Sequence, residues 1–396
     1  MKSTLQKYGW IVVTVIVVAA LIAGGMLFAN SIKNGFIRDT NSFTDEMPTR
    51  IELEKGVSSS TLINELKTAK DNTTIVLPVG ESVDMGAGNL YFLSKALENE
   101  DGTGKNITLD LNGGEIVSNT KHSNGYYYGL TVPDGSNLVI DNGALNITTQ
   151  SSSSSAIVVG TGATLKIKNV SLKSNGACVF PASTASKLVI ENSTIEGGSY
   201  GIGTNRLESS KIKITLKDSI IKGGYCALLI NCASNTTIKD CEIEGAGWAM
   251  FVRAGTVNAS NTTFKTTDGD VGYNNQYSCS YKNFKYTQNS DGAPYWGEGF
   301  QCPYAVVTLG DYSNRDYYSG DAVCTFNNVT VLSPNRSTVP HVLCAAQMAD
   351  KTVNLNYDNE SQIGEVVIFG EDYDYETNGH PEIIHNGTIT INGQNQ

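Results

Sequence analysis

The side chains best suited to bind a ligand are aromatic, and they cluster between about residues 268 and 320. Flat aromatic faces stack on sugar rings and also pack against protein partners. Long loops on a rigid scaffold are the usual place for binding residues. A small packed core, pinned by a disulfide, is the alternative interpretation of this segment. The candidate ligand-binding residues are Tyr281, Tyr295, Trp296, Phe300 and Tyr304.

Residues able to act as acids, bases or nucleophiles are scattered along the chain. Arg206 and Arg253 each end a strand-like run, but an isolated arginine usually lies on a solvated surface. The histidines lie in different sequence contexts, and no nucleophile motif accompanies them. They are His122, His341, His380 and His385. The sequence therefore predicts no catalytic residue.

Metal ligands are equally hard to assemble from the sequence. None of the eight cysteines forms a CxxC pair, so the usual spacing of a zinc site is missing. The acidic run at residues 370–379 offers oxygen ligands to calcium without the spacing of an EF-hand, and we interpret it as a solvated loop. We predict neither a metal nor a cofactor. The pairing of the cysteines stays open, because spacing does not choose among the possible disulfides.

The elements that must position these residues follow from an internal repeat. Its unit is an apolar residue, any residue, Asn or Asp, two further residues and a second apolar residue, as in the segments at 167–172 and 190–195. The first five steps between units are 27, 23, 26, 22 and 21 residues, a period typical of one turn of a solenoid. The polar position falls at Asn142, Asn169, Asn192, Asp218, Asp240, Asn261, Asn328 and Asn386.

This polar position predicts a structural ladder at a corner of the coil. Asn and Asp tolerate the left-handed backbone conformation that a tight corner requires, and stacked side chains can hydrogen-bond from turn to turn. A catalytic or metal-binding pair of Asp218 and Asp240 is the alternative interpretation. The step from Asn261 to Asn328 is 67 residues, the length of about three turns, and it contains the aromatic insertion.

The segment before the repeats predicts a cap for the coil. Within residues 60–79, Leu62, Ile63, Leu66 and Ala69 fall on one side of a helix, and a strand follows. Such a helix would cover the open end of a solenoid, which otherwise exposes apolar side chains and unpaired backbone groups. Residues 106–117, NITLDLNGGEIV, then read as the first complete turn.

This combination resembles the right-handed parallel β-helix superfamily, often called pectate-lyase-like, over roughly residues 57–392. The resemblance implies an all-β fold, a single right-handed parallel β-helix with an N-terminal capping helix. The superfamily includes lyases, hydrolases, phage tail fibres and bacterial adhesins, so the fold does not choose the function. The NTD, DD, GHG and RIK motifs of its polysaccharide hydrolases are missing from the sequence. The calcium-binding acids and the basic residue of its lyases have no matching positions.

The N-terminus predicts one transmembrane helix ahead of the coil. Residues 10–29 carry no charge, and a helix of this length spans roughly 30 Å of hydrocarbon. A cleaved signal peptide is the alternative, and a prepilin-like leader is a third, although Thr14 stands where pilins usually have Glu. The predicted domains are therefore a cytoplasmic tail at 1–9, a transmembrane helix or uncleaved signal anchor at 10–29, a linker at 30–56 and the β-helix at 57–396, with the insertion at about 268–320.

Together these features favour a membrane-anchored, adhesin-like protein of the cell surface. It would bind a glycan or a surface protein without catalysis, with its C-terminal domain outside the cell. A polysaccharide lyase or glycoside hydrolase is the first alternative, and a structural subunit of a surface filament is the second. The formal net charge of −11 argues against nucleic acid as a partner.

Overall fold

The computed structural model describes residues 49–119, 128–151, 154–181, 184–204, 211–266, 278–279, 302–303, 305–311, 320–333, 341–346, 350–372 and 387–396. The chain divides into two compact units, Met1–Thr49 and Arg50–Gln396, and every element given below lies in the second.

In chain order the described elements are β1 (Arg50–Glu52), α1 (Ser59–Thr68), β2 (Thr73–Val76), β3 (Ser82–Asp84), α2 (Asn89–Ala96), β4 (Asn106–Asp110), β5 (Glu115–Asn119), β6 (Tyr128–Val132), β7 (Asn137–Thr148), β8 (Ser155–Val159), β9 (Thr164–Ser174), β10 (Ala177–Pro181), β11 (Lys187–Glu191), β12 (Thr194–Gly197), β13 (Tyr200–Thr204), β14 (Ile212–Lys217), β15 (Ile220–Gly223), β16 (Cys226–Ile230), β17 (Ser234–Lys239), β18 (Glu242–Gly245), β19 (Trp248–Val252), β20 (Gly255–Ser260), β21 (Thr263–Thr266), β22 (Ser278–Cys279), β23 (Cys302–Pro303), β24 (Val307–Asp311), β25 (Ala322–Asn327), β26 (Thr330–Leu332), β27 (Val342–Ala346), β28 (Thr352–Tyr357), β29 (Val366–Asp372), β30 (Thr388–Ile391) and β31 (Gln394–Asn395).

Three parallel ladders of strands form the faces of one coil. The first sheet has the order β1-β2-β4-β7-β9-β11-β14-β17-β20-β25-β28-β30, and the second has the order β3-β5-β7-β9-β12-β15-β18-β21-β26. The long strands β7 and β9 run through both sheets, and β31 pairs antiparallel with β30. The third sheet has the order β6-β8-β10-β13-β16-β19-β24-β27-β29. This arrangement confirms the predicted all-β, parallel β-helix.

The coil starts earlier than the sequence predicts. Strand β1 pairs with β2, and β2 and β3 pair with β4 and β5 of the turn that was predicted to be the first. The described coil therefore begins at Arg50, within the predicted linker at 30–56. Strand β1 is held to β2 by backbone hydrogen bonds, and these do not require the side-chain pattern of the repeat.

The interior is built from columns of aliphatic side chains. In the first sheet Ile167, Ile190, Leu216 and Ile238 are register partners on successive turns, and all are fully buried. The alternation of buried and exposed residues along β11 and β17 is the period of a strand with one face in the core. Apolar residues aligned by the sequence repeat therefore stack on one another.

The corner between the first and second sheets holds the Asn and Asp residues of the repeat. Seven of the eight predicted ladder positions, Asn142 to Asn328, have φ between 46° and 60°. The Nδ2 of Asn192 donates to Oδ1 of Asn169 at 2.6 Å, and the Nδ2 of Asn261 donates to Oδ1 of Asp240 at 3.0 Å. Asn386 lies outside the described residues, and the left-handed asparagine of the last described turn is Asn392.

We expect Asn192→Leu to lower the free energy of unfolding by about 1–3 kcal/mol, because leucine is strained at φ 46° and cannot bond to Asn169. Glu191→Leu is the matched control, since Glu191 lies in the neighbouring strand position and faces outward. Asn192→Gly relieves the strain without restoring the hydrogen bond, so it should fall between the two. Urea denaturation measures all three, and equal midpoints for Asn192→Leu and Glu191→Leu would contradict the role of the corner.

Two helices, rather than the one predicted, cover the N-terminal end of the coil. Helix α1 begins after Ser58, whose Oγ accepts from the Thr61 amide at 3.1 Å. Its last carbonyls, those of Leu66 and Lys67, accept from the buried Nζ of Lys105 at 3.0 and 2.7 Å. Leucines of both helices line the same apolar space as the interior of the first turns; they are Leu66, Leu90, Leu93 and Leu97. The sequence missed α2 because its eight residues are too few for a clear helical period.

The 67-residue step in the repeat does not separate Asn261 from Asn328 in space. Strand β20 pairs directly with β25, and β21 pairs directly with β26. The Nδ2 of Asn328 donates to Oδ1 of Asn261 at 2.9 Å. The intervening chain therefore connects neighbouring turns of the described coil, and its described strand β24 pairs with β19 in the third sheet.

The predicted transmembrane helix at 10–29 lies outside the described residues. Among the residues that the structure does describe, no helix has the length and hydropathy needed to cross a membrane. The membrane anchor stays a prediction.

Candidate functional site

The ligand-binding residues predicted from the sequence lie outside the described part of the chain. This holds for Tyr281, Tyr295, Trp296, Phe300 and Tyr304. Of the segment that contains them, the structure describes only short pieces, among them β22 and β23, which pair in parallel. The binding role of the insertion is therefore still a prediction.

Among the arginine and histidine residues that were candidates for catalysis, the structure describes Arg253 and His341. The Nη1 of Arg253 donates to Oδ1 of Asn231 at 3.0 Å, and the guanidinium carbon lies 4.4 Å from the ring centroid of Phe251. The Nδ1 of His341 accepts from the Glu365 amide at 3.4 Å. These contacts fix both side chains on the third sheet and its connections. In these contacts neither Arg253 nor His341 is paired with a nucleophilic side chain.

Six of the eight cysteines are buried thiols in this structure. Cys178, Cys226, Cys232, Cys241, Cys324 and Cys344 are free. Burial raises the pKa of the Cys226 and Cys344 thiols to about 12, so neither is a thiolate at neutral pH. Within the described ranges no group of three or more His, Cys, Asp and Glu side chains is placed to hold a metal ion.

A groove of about 610 Å³ runs across the outer face of the second sheet. We call it the second-sheet groove, and its lining comprises residues 146–148, 173–175, 196–198 and 222–224 with Glu244 and Ala246. Strands β7, β9, β12, β15 and β18 each contribute their C-terminal end, so the groove crosses five turns. Its depth comes from glycine pairs, such as Gly197–Gly198 and Gly223–Gly224, at the corner between the second and third sheets.

The outer side of the groove is a column of alternating charge. Lys173, Glu196, Lys222, Glu244 and Lys265 are register partners on successive turns. Strands lie roughly 4.8 Å apart, so the column is roughly 19 Å long. Opposite charges on directly opposite residues stabilise neighbouring strands. This column therefore holds itself together without a ligand.

Ion pairs along the column orient its side chains. The Nζ of Lys173 lies 3.1 Å from Glu196, and the Nζ of Lys222 lies 3.2 Å from Glu244. Lys265 contacts Glu242 at 2.9 Å and Glu244 at 3.4 Å. The hydrogen bond with Glu242, with further help from the charge of Glu244, raises the pKa of Lys265. The side-chain exposure falls from 49% at Glu196 to 15% at Glu244, which both Lys222 and Lys265 contact.

Aromatic side chains follow the glycine corner onto the third sheet. The rings of Tyr200 and Tyr225 meet edge to face at 5.7 Å between centroids, and Tyr225 meets Trp248 in the same way at 5.1 Å. Trp248 is buried, and its Nε1 donates to Oγ1 of Thr308 at 3.0 Å. The buried Trp248 is thus held by a hydrogen bond, and the two half-buried tyrosines pack in a row that begins at its ring.

Sequence reasoning missed this groove although a signal was present. The segments EGGSY at 196–200, KGGY at 222–225 and EGAGW at 244–248 each have a charge, then small residues, then an aromatic residue. They recur with the same period as the Asn and Asp repeat. The Asn and Asp repeat is marked by regularly spaced apolar residues. The charge–glycine–aromatic repeat has glycines at its centre and no alternation of apolar and polar residues, so it is harder to find.

Comparisons with known proteins agree with this architecture. The family model described as "Right handed beta helix region" matches residues 105–267. No curated protein sequence matches the chain. Among solved structures, the chain is similar to an alginate lyase from Paenibacillus sp. str. FPU-7, at 13% identity and a TM-score of 0.43, covering 82% of this chain and 99% of that one.

A second solved structure is the endo-xylogalacturonan hydrolase from Aspergillus tubingensis, at 11% identity and a TM-score of 0.34, covering 87% of this chain and 100% of that one. Likeness at this level carries no argument about activity. The matched family region and the three parallel sheets together show that the chain contains a right-handed parallel β-helix.

Proposed function

We propose that this protein binds an extended polysaccharide chain in the second-sheet groove. The observation that carries the proposal is the column of Lys173, Glu196, Lys222 and Glu244, which presents alternating donors and acceptors along roughly 14 Å of an open groove. Sugar hydroxyls both donate and accept hydrogen bonds, so they match such a column. The side chains are already oriented by their ion pairs, which lowers the entropy cost of binding.

The shape of the groove supports a polymer rather than a small molecule. It is open along its length and crosses five turns, whereas small-molecule sites usually enclose most of the ligand. Asn146 is exposed at its margin, where its Nδ2 donates to Glu115, while the side-chain amide of Asn175 is bonded to Thr149. Tyr200 and Tyr225 lie at the adjoining corner, where an aromatic ring can support a sugar. An adhesin-like role on a cell surface would use the same groove.

Cleavage of the bound polysaccharide is the second candidate function. Glu196 and Glu244 lie two strand spacings apart in one column, roughly 10 Å between backbones, and inverting glycosidases hold their two carboxyl groups roughly 6.5–9.5 Å apart. Hydrolysis also needs a carboxyl group that donates a proton, and both glutamates are in ion pairs with lysines. The geometry therefore supports binding more strongly than cleavage.

We expect Lys222→Ala combined with Glu244→Ala to weaken polysaccharide binding by about tenfold or more, since it removes two neighbouring charged groups of the groove without changing the net charge. The matched control is Lys95→Ala with Glu98→Ala, which removes an ion pair of 2.8 Å on α2. Binding of the full chain to a panel of uncharged polysaccharides is measured, and circular dichroism checks that each variant folds.

Three outcomes would change the proposal. If the unmodified chain binds none of the polymers, the proposal is wrong. If Tyr295→Ala with Trp296→Ala abolishes binding and the groove variant does not, the site is the aromatic insertion. Release of reducing ends, or of unsaturated sugars, by the unmodified chain but not by Glu244→Gln would establish cleavage.

A further inference from the structure

The outer face of the first sheet concentrates lysine on an acidic protein. Strands β9, β11, β14 and β17 present twelve outward positions, and six of these are lysines while one, Glu191, is acidic. The whole chain carries a formal net charge of −11. We call this surface the lysine face, and its lysines are Lys166, Lys168, Lys187, Lys213, Lys217 and Lys239.

Like charges lie directly opposite each other on this face. Lys187 is the register partner of Lys213, and Lys217 is the register partner of Lys239. Directly opposite residues of equal charge destabilise a pair of strands, here at a spacing of roughly 4.8 Å. The second-sheet groove of the same coil alternates its charges and avoids this cost. The placement of like charges opposite each other on the lysine face therefore does not stabilise the described coil.

The neighbouring acids compensate the lysines only in part. Lys166 pairs with Glu191 at 2.7 Å and Lys168 with Asp141 at 3.7 Å, while Lys217 and Lys239 lie 3.5 and 3.9 Å from the exposed corner carboxylates that follow them. Exposed pairs of this kind contribute little. Lys187 and Lys213 are exposed, and within the described residues neither belongs to an ion pair. Their charges are available to a partner.

The residues between the lysines indicate which kind of negatively charged polymer this face would bind. Thr164, Thr215, Thr237 and Asn235 fill the outward positions beside them, and their hydroxyl and amide groups match sugar hydroxyls. No aromatic side chain lies among the outward positions of these four strands, so a nucleic acid would find no ring on which its bases can stack. We propose that the lysine face binds an acidic polysaccharide, separately from the second-sheet groove.

The test uses the full chain and two matched polymers, carboxymethyl-dextran and unmodified dextran. We expect Lys187→Gln with Lys213→Gln to weaken binding of carboxymethyl-dextran by about tenfold at low salt. The control, Lys55→Gln with Lys70→Gln, makes the same change in net charge at exposed lysines elsewhere and should alter binding by less than about twofold. Without polymer, the face variant should be at least as stable as the unmodified chain, because one repulsion is removed.

Several results would overturn this inference. They are an equal loss of unmodified-dextran binding in the face variant, no binding of carboxymethyl-dextran, equal losses in the two double variants, or equally tight binding of single-stranded DNA or anionic vesicles. The groove variant, Lys222→Ala with Glu244→Ala, should keep its affinity for carboxymethyl-dextran. Failure of the groove proposal and failure of the lysine face are therefore distinguishable.

Discussion

Gly224→Ala should lower the free energy of unfolding by about 3 kcal/mol or more, because a Cβ at this position would lie 2.1 Å from the carbonyl oxygen of Gly198 on the previous turn. The nearest atoms all belong to the backbone of Gly198, so no side chain can rotate away. The corner between the second and third sheets would have to open across adjacent turns. The same movement would raise the floor of the second-sheet groove.

Gly203→Ala is the matched control for this prediction. A Cβ at Gly203 would meet Cδ2 of Phe180 at 3.8 Å and Cβ of Tyr200 at 4.0 Å, which are ordinary contacts. Alanine is also less costly than glycine to order in a strand, so the change should be within about 1 kcal/mol. Urea denaturation followed by circular dichroism compares the two. Similar midpoints for both variants would show that the corner is not closely packed.

Phe264→Ala should cost about 3–5 kcal/mol, the usual range for removing a fully buried aromatic side chain. Phe264 lies in the interior column of the second sheet, between Ile243 and Val331. Its ring centroid is 5.6 Å from that of Phe326, which is also fully buried. This pair joins the two turns between which the 67-residue step occurs, so its loss tests their contact directly.

Two further variants make the test specific. Phe264→Ile places in the column the residue that Ile243 has one turn earlier, and it should cost less than about 1.5 kcal/mol. A double-mutant cycle between Phe264→Ala and Phe326→Ala should give a coupling of about 0.5–1.5 kcal/mol. A coupling of zero would contradict the contact between the two rings.

The two proposed surfaces differ in how the same strand geometry arranges charge. In the second-sheet groove each lysine faces a glutamate, as Lys222 faces Glu244. On the lysine face Lys187 faces Lys213. A parallel β-helix brings any residue opposite its equivalent one turn later, so the choice of sign at each position decides whether the surface is self-compensated or needs a partner.

The sequence by itself determined the coil and one of its corners. Apolar residues such as Ile190 and Leu216 recur with Asn192 and Asp218 at a fixed offset, and a period near 24 residues leaves few alternatives to a short-turn solenoid. Burial of the apolar column and the left-handed tolerance of Asn and Asp are local properties, so the spacing of residue types reveals them.

Only the tertiary structure decided which residues become neighbours across turns. The register between strands brings Asn261 into hydrogen-bonding contact with Asn328, 67 residues later in the chain. It also aligns Lys173, Glu196 and Lys222 in one column. Register follows from the packing of the whole coil, and unequal loops hide it from the sequence. The groove exists because glycine backbones approach across turns at its corner, a contact that has no side chain to mark it.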